Sequence, residues 1–501
     1  MSHSYQNTSP ERPDPSQHRT GTDIIVTITA FILEVCSLLF LAVLIANGML
    51  CNKYLLLCIA AVLLIVAGYA AVRKLPRIHP AIKPIFAVLA LVLSAAMVWA
   101  GLIANSLRGS LDNLTGNLSQ TDNMAIIVMA DNNVKKLEDM DGYSFGYTNY
   151  LDRDDMISQV GKLKNALFHF YTCPQPSLTS MVDSLYRGDC DAIILNLAYL
   201  QLLEGNEDYS DFETKTRVVD VTELSGKIQK KKHSGDIPKP FLVYCGGLAV
   251  NGDTIPERSD TSLNLLAVVN PSSRQILLVN TPSQYYIPLA SNTDKDKLCH
   301  AAIYGIKAPA DALRWLYNIE RDCYCIHLDV SALTDVVDAL GGIDINCEQA
   351  FTGAQSFSFT PGPSHLNGAE ALAYFSELSA FQDGGNQSAR NQSAVIQGIL
   401  EKTVTLNRTS DMKAFFDSLS DSCLTNIRYG EIADLIQRQQ ENPQEWQVSS
   451  YTVYGSMDST YCFSYPDRIQ DVLQPDFISV FIARRLIAQV LSGEVPAVPS
   501  R

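Results

Sequence analysis

The sequence predicts an α/β protein tethered by three N-terminal membrane-spanning helices, with a small α/β lobe and a larger α/β/α sandwich beyond them. Three observations carry this prediction. The runs Ile24–Asn47, Tyr54–Val72 and Ile85–Asn105 are each long and apolar enough to cross a bilayer. From residue 123 onward, short apolar runs alternate with helical patterns, the signature of mixed α/β layers. Between Phe241 and Leu289, three short apolar runs follow one another, each bounded by Gly, Pro, Asn or Ser.

At 501 residues the chain is long enough for two or more domains, and 47% hydrophobic against 18% charged residues is too apolar for disorder. The net charge of −15 lacks the basic face that a nucleic-acid binder presents. The expected organisation is a tail (1–23), three spans (24–106), a linker (107–122), an accessory domain (123–236), the main domain with its extension (237–490) and a terminal tail (491–501). The tail carries Pro10, Pro13 and Pro15 and reads as disordered. The loop between the second and third spans holds Arg73, Lys74, Arg77 and Lys83, whereas the first loop holds Lys53. That asymmetry predicts a cytoplasmic N-terminus and extracellular C-terminal domains. Glu34 lies inside the first span, as a functional acid or as a protonated or helix-paired structural one.

In the accessory domain, strands are expected at Met124–Met129, Tyr143–Tyr147 and Ala192–Leu195, and helices at Val134–Met140, Ser177–Tyr186 and Leu197–Leu203. The stretches VKKLEDMDGYSFGY and MVDSLYRGDCDAIILN resemble one lobe of a periplasmic solute-binding protein. A single lobe lacks the second wall of a ligand cleft, which favours an accessory or partner-docking role. Lys227–His233 (KIQKKKH) reads as a solvated linker, with contact to an anionic wall polymer as the alternative.

In the main domain, strands are expected at Leu242–Cys245, Leu263–Val269 and Gln275–Val279. Asn270-Pro271-Ser272-Ser273 forms the turn between the last two. Helices follow at Ala308–Ile319, Val330–Leu340, Gly368–Tyr374 and Asn391–Leu406, with strands at Cys325–Leu328 and Ile343–Asn346. The extension adds helices at Asp411–Leu419, Tyr429–Arg438 and Val480–Gln489 and a strand at Trp446–Tyr454. Before the second strand stands Arg258-Ser259-Asp260-Thr261. A guanidinium suits phosphate oxygens and a carboxylate suits Mg²⁺, although a surface ion pair and turn cap would look the same.

The tetrapeptide does not stand alone. A strand ending in Gly, then Arg-Ser-Asp-Thr, a strand, Asn-Pro and a strand are followed by KLCHAAIYG (297–305), VDALGGIDI (337–345), HLNGAEALAY (365–374), Phe381-Gln382-Asp383-Gly384 and Asn391-Gln392. In this order the blocks resemble the LytR-CpsA-Psr (cell envelope-related transcriptional attenuator) family. The resemblance implies a bacterial cell-membrane protein of cell wall biogenesis. Its members transfer polyprenyl-pyrophosphate-linked glycopolymer, such as teichoic acid or capsule, to peptidoglycan, and hold the prenyl tail between sheet and helices. It implies catalytic roles for Arg258, Asp260 and Asp383, binding of the polyprenyl pyrophosphate by Arg258, Lys297, His300 and Gln392, and Mg²⁺ on Asp260.

The departures are as informative. The family's Pro-Arg-Asp reads Pro282-Ser283-Gln284, its Arg-x-Arg reads Ser376-Glu377-Leu378, its second acid reads Gly385, and the Arg three residues later reads Ser388. Arg390 lies two residues from that lost Arg, pointing about 200° away on a helix. Losing one fixed donor on a transferring group costs about 3 kcal/mol of transition-state stabilisation. Three readings therefore stand: a transferase with a divergent pocket, a weakened lipid-binding relative, and a non-enzymatic scaffold of envelope polymer synthesis.

Of twelve Cys, Cys423 and Cys462 are the preferred disulfide of the extension. No Cys-x-x-Cys pair, P-loop, nucleotide fingerprint or Ser/His/Asp signature stands out.

Overall fold

The computed structural model describes residues 21–74, 82–148, 153–200, 203, 207–227, 239–248, 260–289, 295–353, 356–383, 385–406 and 408–499. The polar tail through residue 20, the basic stretch from 228 to 233 and Arg258 lie outside the described residues. The chain divides into two compact units, Met1–Arg108 with Ile436–Glu441, and Gly109–Leu435 with Asn442–Arg501.

The first unit contains α1 (Gly21–Asn47), α2 (Asn52–Lys74) and the start of α3 (Lys83–Leu114). All three are long and apolar enough to cross a membrane. Ala30 and Leu33 of α1 pack with Val62 and Tyr69 of α2 and Ala90 and Met97 of α3. The Tyr69 hydroxyl donates to the Phe86 carbonyl at 3.1 Å. Glu34 sits half-buried on α1.

α3 runs past the expected end of the third span into the segment read as a linker. Leu107, Leu111 and Leu114 recur at helical spacing and are buried. After it comes the first strand of the smaller sheet, β1 (Ser119–Met129). The sheet also takes in β2 (Ser144–Thr148), β3 (Tyr171–Gln175), β4 (Ala192–Asn196) and β5 (Thr216–Lys227), in the order β3-β2-β4-β1-β5. Strand alternation sorts its side chains. Ala125, Ile127, Ile193 and Leu195 meet α5 (Leu178–Tyr186) on one face. Met124, Ile126, Val128, Ala192 and Ile194 meet α4 (Arg153–Ala166) on the other.

One expected helix is corrected here. Val134–Met140 holds a single 3-10 turn, Leu137–Asp139, because an Asn132 side chain captures the Val134 amide at 2.9 Å. Of Leu197–Leu203, the first turn is 3-10, Leu197–Tyr199, started by the Asn196 side chain, Leu200 and Leu203 are helical, and residues 201–202 lie outside the described residues. α4 has no counterpart in the sequence analysis because its apolar signal is reduced to Met156, Val160 and Leu163 among polar residues.

The larger sheet has six strands. β6 (Phe241–Leu248), β7 (Thr261–Asn270) and β8 (Gln275–Asn280) form its antiparallel centre. The short pair β9 (Tyr286–Pro288) and β10 (Lys295–Lys297) follows, then α6 (Ala308–Tyr317), β11 (Cys323–Asp329) and α7 (Leu333–Ala339). Two small hairpins join β12 (Ile343–Cys347) to β15 (Gly362–Leu366) and β13 (Phe351–Thr352) to β14 (Ser358–Phe359). The chain continues through α8 (Gly368–Ser376), α9 (Asn386–Thr403), α10 (Thr409–Ser420), β16 (Cys423–Thr425), α11 (Tyr429–Glu441) and β17 (Gln447–Thr452). A hairpin of β18 (Gly455–Cys462) and β19 (Tyr465–Pro475) leads to α12 (Phe477–Ser492). The sheet order is β16-β11-β6-β7-β8-β17.

Leu242, Leu266, Val268, Leu277 and Val279 face α6 and α12, while Val243, Leu263, Leu265, Ile276 and Leu278 face α7, α8 and α9. The result is an α/β/α sandwich. The smaller sheet is fastened to it, with Gly116 and Leu118 donating backbone hydrogen bonds to Ile427 and Thr425 at 2.9 and 3.1 Å. Tyr304 of the larger domain packs against Tyr199 with ring centroids 5.9 Å apart and the rings tilted by 47°.

The expected Cys423–Cys462 disulfide is corrected as well, since both thiols are free and buried. Cys423 pairs with Leu328 across β16 and β11, whereas Cys462 lies beside Asp296 and Lys297, so the fold places them in different environments. Two thiols that do approach one another are Cys173 and Cys190, joined by a side-chain hydrogen bond above Gly146.

Candidate functional site

The site is built at the end of β7. A register shift between Gly247 and Leu248 leaves Ser262 as a bulge, so the residues on either side of it serve opposite faces of the sheet. Gly247 permits this close approach, because a Cβ there would lie 2.8 Å from Leu263 Cβ. On one face, Asp260 meets the 3-10 turn Leu298–Tyr304 that follows β10. Donor atoms of Asp260, Cys299 and His300 all lie within 4.8 Å of one another.

His300 is buried, and its Nδ1 sits 2.6 Å from Asp296 Oδ1. Asp296 also accepts from the Lys297 amide at 2.7 Å, the Ser464 amide at 2.7 Å and the Ser464 hydroxyl. Burial alone would lower the His300 pKa. The hydrogen bonds to Asp296 and Cys299 outweigh it and hold the imidazole up to about 10, so it is a cation at neutral pH. Asp260 keeps an exposed edge, yet burial of its carboxyl raises its pKa above the ordinary value. His300 and Lys297 pull that pKa back down, and Asp296 adds to the rise.

On the other face, Gln392 of α9 donates from Nε2 to the Ser262 carbonyl at 3.2 Å. A cavity of about 230 Å³ opens there, lined by Ser262, Ser283, Gln284, Phe375, Ser376, Leu378, Gly385, Ser388 and Gln392 among others. Every position at which the chain departs from the family's charged pattern contributes to this wall. None of its lining residues carries a charge. Two departures are sterically coupled. Gly385 has φ +92°, and a Cβ there would lie 2.7 Å from Gln284 Oε1. The cavity is smaller than the ~300–1,000 Å³ of ordinary ligand pockets.

The remaining candidate sits apart from both groups. Asp383 lies 3.8 Å from Arg390, and its Oδ1 is buried with no hydrogen-bond partner among the described residues. Arg390 turns to Glu348 at 2.7 Å and lines a separate groove with Asn346 and Glu348, as its helical offset predicts. The structure thus brings Asp260, Lys297 and His300 together, puts Gln392 across the bulge, and leaves Asp383 with Arg390.

Sequence reasoning missed Asp296 and Cys299. The i, i+4 spacing of Asp296 and His300 was the available signal. It also missed a buried polar group behind the bulge. Tyr244 donates to Asn264 at 2.8 Å, Thr261 donates to Asn264 at 3.0 Å, and the His327 ring lies 5.6 Å from the Tyr244 ring. Burial lowers the His327 pKa to about 4, so the ring is neutral and donates from Nε2 to the Ile306 carbonyl.

Mg²⁺ takes oxygen ligands in near-octahedral geometry. Among the described residues the cluster offers it one carboxylate, flanked by a thiol and an imidazole, a donor set that matches Mg²⁺ poorly.

The chain combines three helices apolar enough to cross a membrane with an α/β/α sandwich that holds an acid, a lysine and a buried histidine at the end of a central strand, the class that the motif order suggested. The chain belongs to the LytR_cpsA_psr family, whose model matches residues 211–475, more than half of its length. Among its relatives are two proteins named polyisoprenyl-teichoic acid–peptidoglycan teichoic acid transferase TagU. That of Enterococcus faecalis is 28% identical over 39% of this chain and 64% of its own length, so the match spans just under two thirds of that relative. That of Bacillus subtilis is 29% identical over 44% of this chain and 71% of its own. Similar solved structures include B. subtilis TagV, with a TM-score of 0.43 and 20% identity over 52% of this chain and 99% of that one. TagT bound to LI-WTA gives a TM-score of 0.42 and 17% identity over 53% and 97%.

Proposed function

We propose that this chain is a cell-envelope protein that binds polyprenyl-(pyro)phosphate-linked glycopolymer at the end of β7 and handles it for attachment to peptidoglycan. In this reading its transfer rate lies far below that of its transferase relatives. The N-terminus lies in the cytoplasm and both α/β domains lie outside. One observation carries the reading: the positions where the family holds arginines and acids converge on one cavity wall that is uncharged here. Charge moves onto the leaving phosphate during transfer, and that wall offers no fixed cation to meet it.

The cation that remains is on the other face. His300, held charged by Asp296, and Lys297 flank Asp260 and supply positive charge for a phosphate, while Asp260 is placed to accept a proton from an attacking hydroxyl. This retained trio favours a second reading, slow but genuine transfer.

The test uses full-length protein purified in mild detergent. Mass spectrometry is expected to find a co-purified polyprenyl phosphate. Cleavage of a polyprenyl-pyrophosphate-linked oligosaccharide is expected to run at least about 100-fold below the B. subtilis TagU relative. Cleavage near the relative's rate and abolished by Asp260→Ala establishes the transferase instead. With neither lipid nor cleavage found, the chain is a scaffold.

A further inference from the structure

We infer that Cys173 and Cys190 are a disulfide-forming pair that clips edge strand β3 to the start of β4. β3 is the outermost strand of the smaller sheet and is held by one ladder, to β2. Pro174 within it has no N–H to give, and Tyr171 at its start is exposed. Such an edge opens early unless something holds it.

Three strands bring the thiols together. Cys173 lies opposite Gly146 in the parallel β2–β3 ladder, so the two residues point to the same face of the sheet. On that face a Cβ at Gly146 would meet Cys190 Sγ at 3.2 Å, with Ser184 of α5 beside it. Cys190 stands just before β4, which flanks β2 on its other side. Its side chain therefore reaches across β2 where the missing side chain of Gly146 leaves the path open. Gln175 of β3 donates from Nε2 to Cys190 Sγ at 3.9 Å, holding that sulfur toward β3. The two thiols are within hydrogen-bond reach of one another.

Oxidation balances as thiol–disulfide exchange with a small disulfide such as oxidised glutathione. Cys173 is the more open thiol and Cys190 is buried, so Cys173 attacks first. Its thiolate bonds to one glutathione sulfur and expels the other as a thiolate. The Cys190 thiolate then attacks Cys173 Sγ and expels the second glutathione. The protein gives up two thiol protons and two electrons, and the oxidant leaves as two thiols. Burial and the hydrogen bond with Cys190 hold the Cys173 pKa above its ordinary value, and Asp191 and Asp189 add to the rise. The thiolate fraction is therefore small at neutral pH, and oxidation speeds up as pH rises.

Outside the membrane, where the proposed orientation puts both α/β domains, no cytosolic thiol pool opposes the oxidised state. The pair itself is read from the smaller sheet alone. Its failure leaves the carrier reading untouched, and failure of the lipid assay leaves the pair standing.

The experiment reduces full-length protein in mild detergent, removes the reductant and adds oxidised glutathione. Samples are quenched in acid, and the remaining thiols are alkylated for peptide mass spectrometry. A Cys173–Cys190 cross-link is expected, forming about tenfold or more faster at pH 9 than at pH 7. Amide hydrogen exchange across Tyr171–Gln175 is expected to slow about tenfold or more on oxidation. Cys190→Ser should stop the reaction at a mixed disulfide of Cys173 with glutathione, and Cys173→Ser should leave Cys190 unreacted in the folded protein. Gly146→Ala, which sets a methyl group against Cys190 Sγ, should slow the cross-link with the far-ultraviolet circular dichroism unchanged. Another cysteine pair linking first, glutathione held stably on Cys173 of the native chain, or unchanged exchange in β3 would each overturn the inference.

Discussion

The two faces of one strand end make the most useful contrast in this molecule. Asp260 and Ser262 are two residues apart, and Ser262 is the bulge. The Asp260 side keeps its charges and encloses them, with His300 saturating a buried Asp296. The Ser262 side is uncharged, a small cavity walled by serines, glutamines and apolar groups. The difference shows how one strand end can serve an enclosed, charged group on one face and an uncharged cavity on the other. A buried ion pair is costly to dismantle one member at a time, because each loss strands the partner's charge. Arginines facing a solvent-filled cavity have no such lock.

The largest expected effect tests the locked side. Asp296→Ala leaves a buried imidazolium without its partner and is expected to cost about 3 kcal/mol of stability, read as a lower midpoint in chemical denaturation. Asp296→Ala with the stability of the native chain would show that the pair is not locked. The pH dependence follows from the same residue. His300 is raised to about 10 in the fold, against about 6.5 when unfolded. Its stabilising contribution is therefore complete below pH 6.5 and is lost as pH rises toward 10. Midpoints measured at pH 6, 8 and 10 should fall, and the fall should be much reduced in His300→Gln.

The next prediction sharpens the unlocked side. Ser388→Arg with Ser376→Arg should return cations to the cavity wall and tighten binding of a polyprenyl pyrophosphate about tenfold or more in a fluorescence titration. No change would mean that the wall is not where the pyrophosphate sits.

A smaller effect tests the steric coupling within that wall. Gly385→Ala places a side chain at φ +92° and against Gln284, at an expected cost of about 1–3 kcal/mol. Adding Gln284→Ala should recover the contact share and leave the backbone share. Equal stability of the single and double variants would uncouple the two positions.

The smallest expected effect is none. Cys423 and Cys462 should both alkylate in the unfolded chain without prior reduction, and adding a thiol reductant to the Cys173→Ser variant should leave the melting temperature unchanged.

Much of the fold was legible because it is written in short-range patterns. The β6–β8 meander shows as three apolar runs with turn residues between them. The three long helices show as uninterrupted apolar stretches. The β18–β19 hairpin was not legible, because exposed strands such as Gly455–Cys462 carry no apolar alternation to read. Nor was the short helix expected at 134–140 real, since Asn132 offered the backbone a local hydrogen bond instead. Within the site, Asp260, Lys297 and His300 could be named from motif order, whereas Asp296 and Cys299 gained meaning when the turn folded against β7.

The sequence alone determined the layers of this protein, the three apolar helices, the strand meander and the list of charges missing from the family pattern. Those properties depend on hydrophobic periodicity and residue identity, which are local. Only the tertiary structure decided that the missing charges share one wall, that Arg390 points elsewhere, and that an acid, a thiol and a histidine meet across the end of β7. These depend on the bulge at Ser262 and on contacts between residues up to 168 positions apart, such as Asp296 with Ser464. Such contacts form because burying the two sheet faces fixes where each loop must return, and no local pattern encodes that.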